Sequence, residues 1–238
     1  MNLLFPPVCA YCEQDAGLAD DSWLLCPPCR VLLAAGEGVP CRRCGALVAE
    51  SNPVDDGCIH CRDQRLRFVE GAALGAYAGD LRKAVLRMKG STCEPLAAAV
   101  AGLLCQAQNS RMQGWQAEVV VPVPMHWTRR MARGTNSPDI VAEVLAASLG
   151  LPFERRMLRR RKNTVPQGDL PPGQRLANLR DAFRVRRGYN VRDAKVLIVD
   201  DILTTGATCN EATRMLLAAG AASVFVAVVA RAENARAV

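Results

Sequence analysis

Residues 196–208 read VLIVDDILTTGAT: an unbroken apolar run, two adjacent carboxylates, two threonines, a glycine and, one residue on, a third threonine. Carboxylates are acceptors suited to sugar hydroxyls or, through water, to Mg2+. A glycine turn that opens a helix points backbone N–H groups at a phosphate, and neighbouring hydroxyls complete the cradle. Asp200 and Asp201 would repel a phosphate, so the two halves of the string suit different ends of one molecule. A cis-diol at one end and a 5-phosphate at the other describe a ribose 5-phosphate. The plainer reading, a strand ending in acids before a threonine-capped helix, covers the acids but not the whole string.

A second chemistry lies upstream. Of eleven cysteines, eight fall in the first 61 residues as four Cys-x-x-Cys pairs: Cys9 and Cys12, Cys26 and Cys29, Cys41 and Cys44, Cys58 and Cys61. A two-residue spacer lets both thiolates of a pair face one ion, and two pairs complete a tetrahedral all-cysteine site, so the eight cysteines imply two structural Zn2+ ions. A disulfide framework would need an oxidising compartment. The opening MNLLFPPVCAYC has neither a basic n-region nor a long apolar stretch, so the expectation is a reduced, cytoplasmic protein. Pairing in sequence gives tandem zinc ribbons, the preferred arrangement, and pairing the first with the third interleaves them. His60, inside a complete pair, is read as a bystander. Cys93, Cys105 and Cys209 read as small buried hydrophobes.

These residues need elements to hold them. Downstream of the cysteine pairs, strand and helix patterns alternate: strands over 71–77, 117–124, 195–201 and 223–231, and helices over 78–90, 94–108, 137–150 and 207–220. Such alternation predicts an α/β fold, a mostly parallel sheet flanked by helices. Ligands in such sheets bind outside the carboxyl ends of the strands, where Asp200 and Asp201 fall. The expected organisation is a zinc-ribbon module over 1–65 and an α/β domain over 66–238. No apolar run is long enough to span a membrane, so no membrane insertion is expected.

The formal charge of +7 is less informative than it looks. Eight thiolates against two divalent ions would bring it to about +3. Placement matters more: arginines and lysines concentrate in 126–134, 155–163 and 184–188. Aromatic residues make up only 5% of the chain, which weakens base stacking as a means of holding single-stranded nucleic acid. Phe5, Tyr11 and Trp23 all lie in the cysteine-rich part, and one face presenting them beside Arg42 and Arg43 would restore it.

VLIVDDILTTGAT resembles the phosphoribosyl diphosphate (PRPP) signature of type I phosphoribosyltransferases. With the four cysteine pairs, VPVPMHWTRRMARGTN, RRRKNTVPQGDLPPGQRLANLRDAF and the closing VVARAE, almost the whole chain is similar to the ComF family. That family is associated with natural competence and DNA uptake, and carries a double zinc ribbon on a phosphoribosyltransferase fold. The resemblance implies that Asp200 and Asp201 hold the ribose hydroxyls and that Thr204, Thr205, Gly206, Ala207 and Thr208 hold the 5-phosphate. It implies a diphosphate loop in 122–134 with Arg133 as its charge partner. Arg175 or Lys162, on a basic hood spanning 159–181, and Lys89, at a helix end, are further candidates for the diphosphate. Mg2+ would accompany PRPP.

Two departures bear on the acceptor. Purine-salvage relatives often place an acid immediately before the Thr-Gly, where this chain has Thr204, which argues against a purine acceptor. The segment RGTNSP lacks the aromatic and glutamine usual in ComF-like chains, so no role is carried over to Thr135 or Ser137. Three functions follow: phosphoribosyl transfer to an acceptor, single-stranded DNA binding by the ribbons and basic loops, and an adapter that holds competence proteins.

Overall fold

The computed structural model describes residues 8–15, 24–34, 36–50, 57–90, 94–126, 135–161 and 179–232. In chain order the elements are α1 (Pro27–Ala34), β1 (Val39–Pro40), β2 (Leu47–Val48), β3 (Gly71–Ala76), α2 (Gly79–Arg87), α3 (Glu94–Gly114), β4 (Val119–Pro122), α4 (Ser137–Leu149), β5 (Leu158–Arg160), β6 (Phe183–Val185), β7 (Lys195–Leu203), α5 (Ala207–Ala218) and β8 (Ser223–Arg231). Strands β3, β8, β7 and β4 form, in that order, one parallel sheet. Two antiparallel two-stranded ribbons, β1–β2 and β5–β6, stand apart from it.

The apolar strands follow from burial on both faces, which removes the need for polar alternation. In β7, Leu197 and Val199 join one core while Val196 and Ile198 join the other; in β8, Phe225, Ala227 and Val229 divide in the same way from Val224, Val226 and Val228. Each of these valine, leucine, isoleucine and phenylalanine side chains contributes about 1.5–3 kcal/mol by leaving water. Helices α2, α3 and α4 cover the first face, and α5 covers the second. α4 stops at Gly150, whose left-handed φ of 67° closes its last turn.

The cysteine clusters extend these two cores. Cys9, Cys26 and Cys29 pack with Leu25, Leu33 and α2 on the first face, whereas Cys41, Cys44, Cys58 and Cys61 pack with Phe68, Leu203 and Ala207 on the second. At Gly45 the chain passes so close to β3 that an added Cβ would lie 2.8 Å from the Ala73 nitrogen, and its φ of 74° lies in the left-handed region that favours glycine. Among the described residues, no helix is long and apolar enough to cross a membrane.

Candidate functional site

β7 runs two residues beyond its predicted end, to Leu203, because Ile202 and Leu203 pair with Ala230 and Arg231. The extension carries Asp200 and Asp201 to the carboxyl end of the central part of the sheet, where they stand before the turn at Thr204, Thr205 and Gly206. Gly206 adopts a φ of 75° as the N-cap of α5, and the Ala207 N–H donates to Thr205 Oγ1 at 3.4 Å. The sequence therefore turns from strand to helix within three residues, with Thr204, Thr205 and Thr208 half-buried around the helix start.

The two acids have unequal surroundings. Asp200 is buried and accepts the Asp201 N–H at 2.9 Å; burial, with the Asp201 charge beside it, raises its pKa well above the ordinary carboxylate range. Asp201 is half-buried, and Lys89 Nζ lies 3.3 Å from its Oδ2. Lys89 follows α2, and the next carbonyl, Gly90, accepts the Thr135 hydroxyl at 3.4 Å. The end of α2, the residues leading into α4 and the acids of β7 thus meet in one place. Asn136, buried at the start of α4, donates to Asp139 Oδ1 at 2.6 Å, and Arg155 donates to Asp139 Oδ2 at 2.8 Å. Thr135 and Asn136 spend these bonds on structure.

Of the residues singled out in the sequence, Lys89, Asp200, Asp201 and the residues from Thr204 to Thr208 converge. Arg133, Lys162, Arg175, Cys93, Phe5 and Trp23 lie outside the described residues. Most of the expected hood, 162–178, lies outside the described residues; flanking it is the β5–β6 ribbon, in which Arg159 stands opposite Arg184. Like charges directly opposite across a strand pair repel.

Arg231 is a residue that sequence reasoning passed over. It ends the apolar strand β8, is 1% exposed, and directs its guanidinium at carbonyl oxygens: Leu203 at 2.9 Å, Thr204, Ala232 at 2.5 Å and His60 at 3.3 Å. It stands in the VVARAE segment that carries the family resemblance and closes an otherwise apolar run, but neither signal gave it a role.

The eight paired cysteines form two groups in sequence order, Cys9 with Cys12, Cys26 and Cys29, and Cys41 with Cys44, Cys58 and Cys61. Within each, the sulfurs lie within 4.8 Å of one another. Close pairs are 3.8 Å (Cys12–Cys26), 3.8 Å (Cys41–Cys61), 3.7 Å (Cys44–Cys58) and 3.9 Å (Cys58–Cys61). Disulfide sulfurs sit at about 2.05 Å. A tetrahedron with metal–sulfur bonds of about 2.3 Å has edges of about 3.8 Å, so both groups fit a tetrahedral thiophilic ion. His60 belongs to neither group. The first group is the more accessible, because Cys12 is exposed while all four of the second are buried.

Tyr11, beside the first group, donates its hydroxyl to Asp80 Oδ1 at 2.7 Å, and burial and this bond push its pKa up to about 12. Arg87 stacks over its ring and donates to its carbonyl at 2.5 Å. Tyr11 thus ties the first group to α2. Arg42 pairs with Glu70 at 3.2 Å, and Arg43 donates to the Gln64 carbonyl at 3.1 Å.

A family model described as a phosphoribosyl transferase domain matches residues 94–238. The chain is 30% identical to the DNA utilization protein YhgH of Salmonella typhimurium, over 94% of this chain and 96% of that protein. It is 28% identical to Competence protein F of Haemophilus influenzae, with the same coverage of 94% and 96%. A solved structure of the allosteric regulatory enzyme of purine biosynthesis is similar over 60% of this chain and 30% of that one, at 22% identity and a TM-score of 0.42. The chain belongs to the ComF family, whose phosphoribosyl transferase domain is joined here to two four-cysteine groups.

Proposed function

We propose that the protein binds Mg2+-PRPP at the carboxyl end of β7 and transfers its phosphoribosyl group to an acceptor. The observation that carries this reading is the junction of Asp200 and Asp201 with the Thr204–Gly206 turn at the start of α5. The acids accept from the ribose hydroxyls, and the N–H groups and hydroxyls of Thr204, Thr205, Gly206, Ala207 and Thr208 receive the 5-phosphate. Mg2+, when bound, neutralises charge on the diphosphate. In the reaction the acceptor's lone pair forms a bond to ribose C1, the C1–O bond breaks, diphosphate leaves with that electron pair, and the acceptor loses its proton. Lys89, Arg133 and Arg175 are assigned to the diphosphate, with Lys89 exchanging its partner Asp201 for the ligand. Both four-cysteine groups are assigned structural Zn2+, and 1–65 and 66–238 are taken as ribbon module and transferase domain.

The test is a calorimetric titration with Mg2+-PRPP, followed by an assay of diphosphate release with a panel of nucleobases and single-stranded DNA. Tight binding that is abolished in the Asp200→Asn/Asp201→Asn double variant, with zinc content unchanged, supports the reading. Undiminished binding by that variant overturns it.

Single-stranded DNA is a second reading, favoured by the facing Arg159 and Arg184 and by the exposed Arg161, Arg186 and Arg187 beside them. Its binding should weaken by about 0.7 log units per phosphate contact for each decade of salt. Salt-independent or undetectable binding removes DNA as a direct partner.

A further inference from the structure

The second four-cysteine group and the candidate phosphate turn are far apart in sequence but share a buried cation. Arg231 Nη2 donates to the carbonyl of His60, which lies between Cys58 and Cys61, across a separation of 171 residues. Its Nη1 donates to Leu203 and Thr204, the two residues that lead β7 into the turn. Its hydrogen-bond partners are carbonyls, and Cys44 of the metal loop is among the groups that its charge reaches. One guanidinium therefore spans the metal loop and the turn.

A second strap runs beside it. Asn210, buried in the first turn of α5, accepts the Arg67 N–H at 2.8 Å and donates to the Arg65 carbonyl at 2.9 Å. Between those two residues Leu66 packs so tightly on the turn that a Cβ at Gly206 would lie 2.7 Å from its Cδ2. The stretch leaving Cys61 is thus fastened to both sides of the turn.

Resting on the PRPP reading above, we propose that Arg231 is a positioning residue that couples metal in the Cys41–Cys44–Cys58–Cys61 site to the phosphate-binding form of the Leu203–Thr204 turn. With metal bound, Cys41, Cys44, Cys58 and Cys61 would hold closed the loop that presents the His60 carbonyl, and their four thiolates around a divalent ion would leave a net negative centre near the guanidinium. Without metal, Arg231 loses one acceptor and its counter-charge, and the Thr204 carbonyl loses its fixed donor. The N–H groups that follow it are then no longer held in one orientation. Linkage makes the effect reciprocal: if metal raises affinity for PRPP by some factor, PRPP raises affinity for metal by the same factor. Among the described residues, the first four-cysteine group, on the opposite face of the sheet, is tied through Tyr11 to α2 and not to the Leu203–Thr204 turn, and it is left outside the coupling.

The test uses the full-length zinc-loaded protein. Zinc release to a chromogenic chelator is followed with and without saturating Mg2+-PRPP, and PRPP affinity is measured by calorimetry. Release is expected in two phases, one of which slows about tenfold with PRPP while the other is unchanged. The slowed phase is absent in Cys58→Ser and retained in Cys26→Ser. Arg231→Lys, which keeps the charge but cannot span both carbonyl groups, should keep both metals, lose the slowing and bind PRPP about tenfold more weakly. Wild-type protein that binds PRPP but releases both metals at unchanged rates overturns the coupling alone, and needs no variant to fold. An Arg231→Lys protein that shows the full slowing overturns the role of Arg231. Wild-type protein that binds no PRPP overturns the proposed function and the coupling together.

Discussion

Lys89 Nζ stands 3.3 Å from Oδ2 of Asp201, joining the end of α2 to the end of β7. The pair is partly buried, its side chains 31% and 19% exposed, so it is neither a surface pair of negligible worth nor a fully desolvated one. The pair fixes the position of the Asp201 side chain at the end of β7. Lys89→Met should weaken Mg2+-PRPP binding about five- to twentyfold. In a double-mutant cycle with Asp201→Asn, calorimetry should show a coupling of about 0.5–3 kcal/mol. Additive single effects would mean that the two residues serve the ligand separately.

Asp200 carries a cost that its position imposes. Burial, and then the charge of Asp201, raise its pKa, so the folded state holds this proton more tightly than the unfolded chain does. That contribution to stability is fully present below the unfolded pKa of about 3.9 and is lost as pH rises through the folded value. Asn at this position does not titrate and still accepts the Asp201 N–H. Asp200→Asn should therefore match wild type near pH 4 and exceed it at neutral pH, by about 2–4 °C in Tm for each kcal/mol regained. The same variant should lose PRPP binding. Thermal denaturation across pH 4–8 checks the sign, and a variant less stable at neutral pH would refute it.

The two four-cysteine groups should differ in what their loss does. Metal analysis is expected to return two zinc ions per chain. Cys58→Ser removes a ligand from a cluster whose four members are all buried in the core beneath the turn, whereas Cys26→Ser acts on a cluster that contains the exposed Cys12. Chemical denaturation should show the larger loss for Cys58→Ser, and only that variant should also weaken PRPP binding.

Gly206→Ala tests the turn itself. With φ at 75°, an alanine meets the left-handed penalty of about 1–2 kcal/mol, and its Cβ meets Leu66 Cδ2, the movable tip of a side chain. The backbone term dominates, so adding Leu66→Ala should restore little of the lost stability or PRPP affinity. Full recovery in the double variant, read by denaturation and calorimetry, would assign the effect to crowding.

Much of this arrangement was legible because its causes are local. The buried run of β7 and β8, the acids at its end and the glycine turn each follow from short-range chemistry; the cysteine spacing allowed interleaved pairing as well as the preferred grouping in order, which the folded chain adopts. What was hidden depends on docking. The pattern that marks 78–90 as helical says nothing about Lys89 reaching Asp201, and nothing in the spacing of the cysteines shows that the groups settle on opposite faces of the sheet. Arg231 resembles an ordinary polar stop to a strand until its four carbonyl partners are seen. The β5–β6 ribbon escaped because its strands are three residues each and rich in arginine, too short and too polar for a period of two to show.

The separation of 171 residues between His60 and Arg231 also sets an order of events during synthesis. A ribosome adds roughly 5–20 residues per second, so roughly 10–30 s pass between the appearance of the second cysteine loop and that of the arginine that buttresses it. β3 waits as long, because its sheet partner is β8. Through that interval the thiols of Cys41, Cys44, Cys58 and Cys61 lack the sheet face that later encloses them, and a metal ion is what can hold their loop closed until the nascent chain supplies β8.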